Sequence, residues 1–261
     1  MDEFDVIVVG GGSGGCAVAG RLAEAGYSVC LLEAGGRNDT FGVKTPAMLA
    51  FTGPKINYRY ETVPQKGLNG RQGYQPRGRG LGGSSAINAM IYIRGNRYDY
   101  DNWAALGCDG WSYDDVLPYF KRAEHNVRGD DAYHGASGPL WVSDQSAVNP
   151  GSHAFVEAAT QLQLPHNRDF NGAKQEGFGL YQVTQKDGER WSASRGYVEP
   201  LRKSRNLDVR IGVTVQKVEI DGDRATGVTY SAGDRQRTVR ARGGVVMSAG
   251  AFNSPQILML S

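Results

Sequence analysis

The stretch FDVIVVGGGSGGCAVAGRLAEAGYSVCLLEAG, residues 4–35, decides the fold class of this chain. Its first part, DVIVV, is a nearly continuous β-branched run, which is typical of a strand buried on both faces. The next part, CAVAGRLAEAG, predicts a helix, because Val18, Leu22 and Ala25 have helical spacing before a terminating glycine. The segment YSVCLLE predicts a second buried strand that ends at Glu33. This order of elements predicts a β-α-β unit and an α/β fold.

The turn after the first strand has the spacing G-x-G-x-x-G at Gly10, Gly12 and Gly15. Gly10 permits a tight turn, Gly12 lets a pyrophosphate approach the backbone, and Gly15 lets the helix pack close to the strand. The N-terminus of the helix supplies free N–H groups and a partial positive charge to that pyrophosphate. Glu33 follows at the tip of the second strand, where a carboxylate accepts hydrogen bonds from ribose hydroxyls and repels a 2′-phosphate. The segment therefore predicts a site for FAD or NAD rather than NADP.

Composition narrows the remaining function classes. Glycine accounts for 37 of 261 residues, and the glycines cluster in short motifs, which indicates close backbone approaches rather than a flexible tract. The net charge is +2, and no run of Lys or Arg is long enough for a nucleic-acid interface. No apolar stretch reaches membrane-spanning length, and the first residues enter a strand at once, unlike a signal peptide. Three cysteines without metal-ligand spacing predict reduced thiols and a cytoplasmic location, with peripheral membrane association left open.

Several further elements follow from local patterns. Residues 112–126 predict an amphipathic helix, and SHAFVEAATQLQL predicts another with Ser152 as its N-cap. Residues 207–233 alternate with period two around an Asp-Gly turn and predict a hairpin, and RTVRARGGVVMSAG predicts a strand that returns to the nucleotide domain. In the last segment, Ser254 and Pro255 predict the N-cap and first residue of a helix.

A second glycine motif lies in PRGRGLGGSSAINAMIYIRGNRYDYDNW, residues 76–103. This segment resembles the first signature of the glucose–methanol–choline (GMC) flavin oxidoreductases. The matching positions are Gly78, Arg79, Leu81, Gly82, Gly83, Ser84, Ser85, Ile87, Asn88, Tyr92, Gly95 and Asp101. The second signature of that family is similar to SAGAFNSPQILMLS at Gly250, Ala251, Ser254, Pro255, Leu258, Met259 and Ser261. The segments between the two also look like the family, so the resemblance covers essentially the whole chain.

The resemblance implies a Rossmann-like FAD-binding domain of the GMC type with part of an α+β substrate or cap domain. The expected domain boundaries are 1–149 for the first part of the FAD domain, 150–205 for part of the cap, and 206–261 for the return to the FAD domain. Residues 36–80 are expected to cover the flavin. The C-terminal half of the family's fold, with its catalytic histidine, is expected to lie outside this chain.

The resemblance also implies which residues contact FAD. They are Gly10, Gly12, Ser13, Gly14 and Gly15 at the pyrophosphate, Glu33 and Ala34 at the ribose, Arg79 in the second glycine motif, Gly82, Gly83, Ser84, Asn88, Ala89 and Met90 along the flavin side, Val215 at the adenine, and Ala249 and Gly250 closing over the cofactor. For Ser84 or Ser85 taken alone, helix capping is an equal alternative. Ile87 stands where some family members carry a histidine bonded to the flavin, so the FAD is expected to be non-covalent.

The implied function is FAD-dependent oxidation of a small-molecule alcohol, by hydride transfer to flavin N5 while a base takes the hydroxyl proton. No catalytic residue and no metal site is assigned, because none of the four histidines has a paired acid or nucleophile nearby in sequence: His125, His134, His153 and His166. One alternative is a flavin-binding fragment or split subunit without activity of its own, joined by a complementary C-terminal chain or a second copy. Another is an NAD-dependent enzyme, which the first motif alone allows. The particular alcohol, the electron acceptor and the choice between oxidase and dehydrogenase stay open.

Overall fold

The first strand–helix–strand segment sets the architecture of the protein, which is described for residues 2–261 by a computed structural model. Strand β1 (Glu3–Val9), helix α1 (Ser13–Glu24) and strand β2 (Val29–Glu33) follow one another as the sequence predicts. The two strands pair in parallel, and every residue of β2 is buried. The predicted α/β fold is confirmed.

The other elements follow in chain order. The strands are β3 (Tyr60–Glu61), β4 (Tyr74–Gln75), β5 (Glu124–Asn126), β6 (Leu140–Val142), β7 (Gln185–Lys186), β8 (Glu189–Arg190), β9 (Leu207–Ile211), β10 (Val213–Asp221), β11 (Arg224–Ala232) and β12 (Arg235–Met247). The α-helices are α2 (Phe41–Lys44), α3 (Arg97–Ala105), α4 (Tyr113–Ala123), α5 (Pro150–Gln161) and α6 (Gly250–Met259). Short helical turns lie at Pro46–Phe51, Lys66–Leu68, Gly83–Ala86, Ser194–Val198 and Glu199–Leu201.

The main sheet has the strand order β10-β11-β12-β1-β2-β9. Strands β12, β1, β2 and β9 are parallel, whereas β10, β11 and β12 form an antiparallel meander. The long strand β12 joins the two parts, since Arg240 pairs with Glu3 on one side and with Gly227 on the other. The predicted hairpin is confirmed as β10 and β11. Its first predicted residues, Leu207–Ile211, instead form β9 at the opposite edge of the sheet, beside β2.

The core lies on both faces of this sheet. Ile7 and Val9 of β1 belong to one buried cluster, with side chains of β10, β11, β12 and α6. Val8, between them, belongs to a second cluster with α1 and Tyr197. Because successive side chains of a strand point to opposite faces, burial on both faces requires the continuous apolar run seen in the sequence.

The residues whose spacing predicts helix α1 do not form its buried face. The buried residues include Cys16, Ala19 and Ala23, whereas Val18 and Leu22 are only partly buried and Ala25 is exposed. Close packing favours the small side chains: a Cβ at Gly20 would lie 2.6 Å from the carbonyl oxygen of Tyr197. The inward face is therefore set by backbone proximity rather than by side-chain size.

Several predicted helix ends differ from the observed ones. Helix α5 begins at Pro150, because the side chain of Asn149, not Ser152, accepts from the N–H of Gly151. Pro150 is favourable at the first helical position. A residue there has an N–H group without an intrahelical partner, so proline, which lacks that group, loses no hydrogen bond. Helix α4 ends at Ala123, three residues before the predicted end, and residues 124–126 form β5 beside β6.

Helix α6 begins five residues before the predicted start. Its first residue is Gly250, and Pro255 lies inside the helix. Ser254 does act near the N-terminus, but its Oγ accepts a hydrogen bond from the N–H of Ala249, 2.9 Å away. A Ser-Pro pair is typical of a helix start, which is why the sequence predicts one there. In the structure the helix begins instead at the turn of Gly250, whose φ is 89°.

The chain forms two compact units. The first unit takes the chain up to Ala89 together with Ser192–Ser261 and holds the main sheet, and the second unit is Met90–Trp191. The expected boundaries at 149 and 205 therefore do not coincide with the limits of the compact units. The assignment of an FAD domain and a cap domain remains a prediction.

Candidate cofactor site

A groove of about 370 Å³ opens in the first unit beside the carboxyl ends of β1, β2 and β12. Its volume lies within the roughly 300–1,000 Å³ usual for small-molecule sites. The groove is lined by many of the predicted site residues: Gly10, Gly12, Ser13, Gly14, Glu33, Ala34, Gly83, Ser84, Val215, Ala249 and Gly250. Segments that are far apart in the sequence thus meet at one edge of the parallel sheet, where α/β folds bind their ligands.

The first glycine motif has two kinds of glycine. Gly10 has φ of 97°, and a Cβ there would lie 2.6 Å from the carbonyl oxygen of Ser248, so the turn requires glycine. A Cβ at Gly15 would collide with the carbonyl oxygen of Gly10, so this buried residue serves close packing. By contrast, a Cβ at Gly14 would meet nothing within 4 Å, and one at Gly12 only a carbonyl oxygen at 3.8 Å. Gly12 and Gly14 leave space in the groove for a ligand.

Helix α1 starts inside the groove without a side-chain cap. Its N-cap is Gly12, and no side chain accepts from the first turn of the helix. The first N–H groups of a helix lack intrahelical partners, and with the helix dipole they favour an anion. Cys16, in the same turn, is no nucleophile: burial raises the pKa of its thiol to about 12, and its Sγ donates to the carbonyl of Gly11.

Glu33 organises the groove through its carboxylate. Oε2 accepts from the N–H of Gly11, and Oε1 accepts from the N–H groups of Gly35 and Gly80, each at 2.8 Å. The side chain is only 6% exposed. Glu33 thus joins both glycine motifs to the end of β2. Because each carboxylate oxygen can accept two hydrogen bonds, Oε2 retains capacity for a ribose hydroxyl, and that contact remains a prediction.

The second glycine motif packs directly on the first. Gly83 has φ of 50°, and a Cβ there would lie 2.7 Å from Cα of Gly12. Ser84 lines the groove and its Oγ accepts from the N–H of Gly78 at 3.1 Å. Ser85 Oγ donates to the carbonyl of Gly82 and accepts from the N–H of Ala193. The helical turn Gly83–Ala86 has no side-chain cap, so neither serine caps it.

The remaining predicted site residues do not line the groove: Gly15, Arg79, Gly82, Asn88, Ala89 and Met90. The Nε of Arg79 is buried and has no hydrogen-bond partner, while its guanidinium lies 5.7 Å from the ring centre of Tyr58. Asn88 and Ala89 are exposed. Met90 is the first residue of the second unit. Their proposed contacts to a cofactor stay untested predictions.

Tyr58, Tyr60 and Phe252 form an aromatic wall of the groove that the sequence does not predict. Tyr58 and Tyr60 stack with ring centres 5.1 Å apart, and Tyr60 meets the ring of Phe252 edge-on at 5.9 Å. The hydroxyl of Tyr60 donates to Asn253 Oδ1 at 2.8 Å. Burial raises the pKa of Tyr58 to about 12, so its hydroxyl stays protonated. Two tyrosines within residues 57–60 indicate an aromatic surface. Because this segment has no helical or strand periodicity, the sequence does not show that Tyr60 contacts the distant Phe252.

The second unit contains a buried network of charges. Arg94 Nη2 lies 2.6 Å from Glu124, and His134 lies 3.0 Å from Glu124 through Nδ1 and 2.9 Å from Asp169 through Nε2. Burial opposes a charge on His134, but the bonds to Asp169 and Glu124 outweigh it and raise its pKa to about 9. His134 is therefore an imidazolium at neutral pH, with both ring nitrogens engaged.

The structure adds two observations about function classes. Within residues 2–261, no group of His, Cys, Asp and Glu side chains is placed to hold a metal ion. No helix in that part of the chain combines the length and apolar character needed to cross a membrane.

The fold and groove define an α/β protein in which two glycine motifs meet at the edge of a parallel sheet, the place where dinucleotides bind in this class of fold. The chain belongs to the GMC oxidoreductase family, which matches residues 4–261. The resemblance inferred from the two signatures is thereby confirmed. The protein is an oxidoreductase-family flavoprotein whose cofactor is FAD, as predicted.

Known proteins similar to this chain support its assignment to the GMC oxidoreductase family. An oxygen-dependent choline dehydrogenase from Pseudomonas putida is 47% identical over 269 residues, covering 99% of this chain and 48% of that protein. Pyridoxine 4-oxidase from Mesorbium loti has a TM-score of 0.92 at 32% identity, covering 98% of this chain and 51% of that one. An FAD-dependent oxidoreductase from Chaetomium thermophilum has a TM-score of 0.90 at 30% identity, with coverages of 99% and 47%. The chain spans about half the length of the curated relatives it matches.

Proposed function

We propose that this chain forms the FAD-binding part of an enzyme that oxidises the CH–OH group of a small alcohol. The observation that carries the proposal is the contact between the two glycine motifs. Gly83 of the second motif lies so close to Gly12 of the first that a Cβ on Gly83 would be 2.7 Å from Cα of Gly12. One groove is therefore lined by residues of both motifs and suits a single extended ligand.

The residues present fit FAD. The uncapped start of α1 at Gly12 and the open space beside Gly14 suit a pyrophosphate. Glu33, with remaining acceptor capacity, suits the adenosine ribose, and Val215 lines the same groove for the adenine. In this proposal Gly82, Gly83, Ser84, Asn88, Ala89 and Met90 lie towards the flavin. Ile87 offers no nucleophile, so the flavin is held non-covalently.

Bound FAD would supply the hydride acceptor for the carbon that carries the hydroxyl group. The chain's own side chains would bind and orient the cofactor rather than move protons. Tyr58 stays protonated, Tyr60 donates to Asn253, and Glu33 already accepts three backbone hydrogen bonds. A general base must be within reach of the proton and free to accept it, so no base is assigned to these groove residues.

The absence of a base among these groove residues favours one alternative. In that alternative, the chain binds FAD but turns over only with a complementary chain or segment. The predicted cap at 150–205 would then contribute to substrate binding in the complete assembly.

A two-stage experiment tests the proposal. The purified 261-residue chain is first examined for bound flavin by absorbance, and by mass spectrometry of the ligand released on heating. It is then assayed with choline and with simple primary alcohols, using both oxygen and an artificial electron acceptor, because one relative is named an oxygen-dependent choline dehydrogenase. Turnover supports an enzyme, flavin without turnover supports the binding module, and a chain that cannot take up FAD would contradict both.

A further inference from the structure

Charge in the groove is distributed unevenly. Among the described residues that line it, Arg77 is the single cation and Glu33 the single anion. The Glu33 carboxylate accepts three backbone hydrogen bonds inside the protein. Arg77 has no acidic partner, and its guanidinium makes one hydrogen bond, from Nη1 to the carbonyl of Pro76 at 2.7 Å. An arginine side chain carries five N–H donors, so most of its donors are available to a ligand.

Two close backbone contacts place Arg77 near the start of α1. A Cβ on Gly78, the next residue, would collide with the carbonyl oxygen of Gly83. Gly83 in turn packs against Gly12, the N-cap of α1. Gly78, which follows Arg77, therefore contacts Gly83, and Gly83 contacts Gly12 at the predicted pyrophosphate site. These contacts place the backbone of Arg77 close to that site.

The side chain of Arg77 is also held in position. Its guanidinium carbon lies 4.4 Å from the ring centre of Phe252. Phe252 lies in the first turn of α6, whose N-terminal residues Ala249 and Gly250 line the groove. A cation over an aromatic face is attracted to the ring, and Tyr60 supports that ring from its edge.

We propose that Arg77 pairs with the FAD pyrophosphate and that Phe252 positions its guanidinium for this contact. The inference rests on the proposed binding of FAD in this groove. The two negative charges of the pyrophosphate would meet the N-termini of α1 and α6 and one arginine, whose planar donors suit phosphate oxygens. Arg77 would then discriminate between ligands that carry the diphosphate and flavins that lack it.

Calorimetric titration of the chain with FAD, ADP and riboflavin tests the proposal. Arg77→Gln is expected to weaken FAD and ADP binding roughly 10- to 100-fold, the usual effect of losing a charge-assisted hydrogen bond, and to leave riboflavin binding unchanged. It should also flatten the salt dependence of FAD affinity. Arg77→Lys keeps the charge without the planar fork and should lose less. Phe252→Leu should weaken FAD binding although no charge is removed.

Arg237→Gln is the matched control, because it removes an equal charge from an exposed position on β12 outside the groove. Circular dichroism confirms that each variant is folded. Equal FAD affinity and equal salt dependence for Arg77→Gln and Arg237→Gln would overturn the inference, and so would a loss of riboflavin affinity as large as that of ADP. If the unaltered chain binds no FAD, the proposed function itself fails. If it binds FAD and Arg77→Gln binds it equally well, only the role of Arg77 fails.

Discussion

The groove of the first unit and the charge network of the second unit differ in whether their polar groups have hydrogen-bond partners inside the protein. In the groove, α1 begins without a side-chain cap and Arg77 has no acidic partner. In the second unit, Arg94, Glu124 and His134 are buried and each is paired. The first arrangement leaves donors available, whereas the second satisfies them inside the protein.

This difference separates a binding site from a structural element. A histidine between two carboxylates resembles catalytic machinery, but His134 has no free nitrogen and retains its proton at neutral pH. The glycine turn at Gly12 and Gly14 contains no reactive side chain, yet it has the space and the donors for a ligand. The available hydrogen-bonding capacity, rather than the residue type, identifies the candidate site.

The largest expected effect comes from breaking the charge network. Glu124→Ala leaves Arg94 and His134 buried without their shared carboxylate, which is expected to cost about 3–5 kcal/mol of the free energy of unfolding. Tryptophan fluorescence during urea unfolding measures this loss of stability in the second unit alone. All four tryptophans lie within Met90–Trp191: Trp103, Trp111, Trp141 and Trp191.

The matched control is Asp114→Ala, which breaks the exposed pair of Arg97 and Asp114. An exposed ion pair contributes about 0–1 kcal/mol. Equal losses for Asp114→Ala and Glu124→Ala would contradict the view that the buried network stabilises the second unit.

The second effect is a pH dependence of the same unit. The folded pKa of His134 is raised to about 9 from 6.5, so its contribution is complete below about pH 6.5 and is lost as the pH rises through 9. The expected loss is on the order of 3 kcal/mol, at 1.36 kcal/mol for each unit of pKa. Urea unfolding by tryptophan fluorescence between pH 6 and pH 9.5 checks it.

His134→Gln is the control for this pH series. Its side chain does not titrate, so the decline of stability towards pH 9 should be much smaller than in the unaltered chain. An equally steep decline in both proteins would mean that other groups cause it.

The third effect concerns the space in the groove. At Gly12 an added Cβ meets no protein atom closer than 3.8 Å, so Gly12→Ala should fold normally and instead obstruct the cofactor. Overpacking typically costs about 1–3 kcal/mol, here expected in the binding free energy of FAD. Gly36→Ala makes the same change at an exposed position outside the groove, where a Cβ meets nothing within 4 Å. Titration with FAD compares the two, and equal affinities would argue against a ligand at Gly12.

The smallest effect contrasts a capped helix with the uncapped α1. Asn149 caps α5 through the N–H of Gly151, so Asn149→Ala should lower the free energy of unfolding by about 1 kcal/mol. Ser152→Ala, at the position suggested by sequence, should have almost no effect. The reverse order, measured by urea unfolding, would restore Ser152 as the cap.

The sequence predicted the elements that depend on local patterns. Continuous apolar runs predicted β1 and β2, the Asp-Gly turn predicted the hairpin of β10 and β11, and the glycine spacing predicted the turn at Gly10. These features follow from backbone conformation and burial within a few residues, which a short segment determines by itself.

The features that were missed depend on distant contacts. The inward face of α1 follows from the backbone of Tyr197, and β9 is a separate strand because it pairs with β2. Arg77 and Phe252 are far apart in the sequence and meet only in the folded groove. No local period reports such pairs, so the aromatic wall and the contact of Arg77 with Phe252 required the structure.

The stoichiometry of FAD binding tests the central claim most directly. Titration of the purified, flavin-free chain with FAD, followed by flavin absorbance and calorimetry, is predicted to give one FAD per chain. Binding should weaken in Gly12→Ala and persist in Gly36→Ala. A chain that folds by circular dichroism but does not bind FAD, or one that binds it equally well with Gly12 replaced, would contradict the assignment of this groove as the cofactor site.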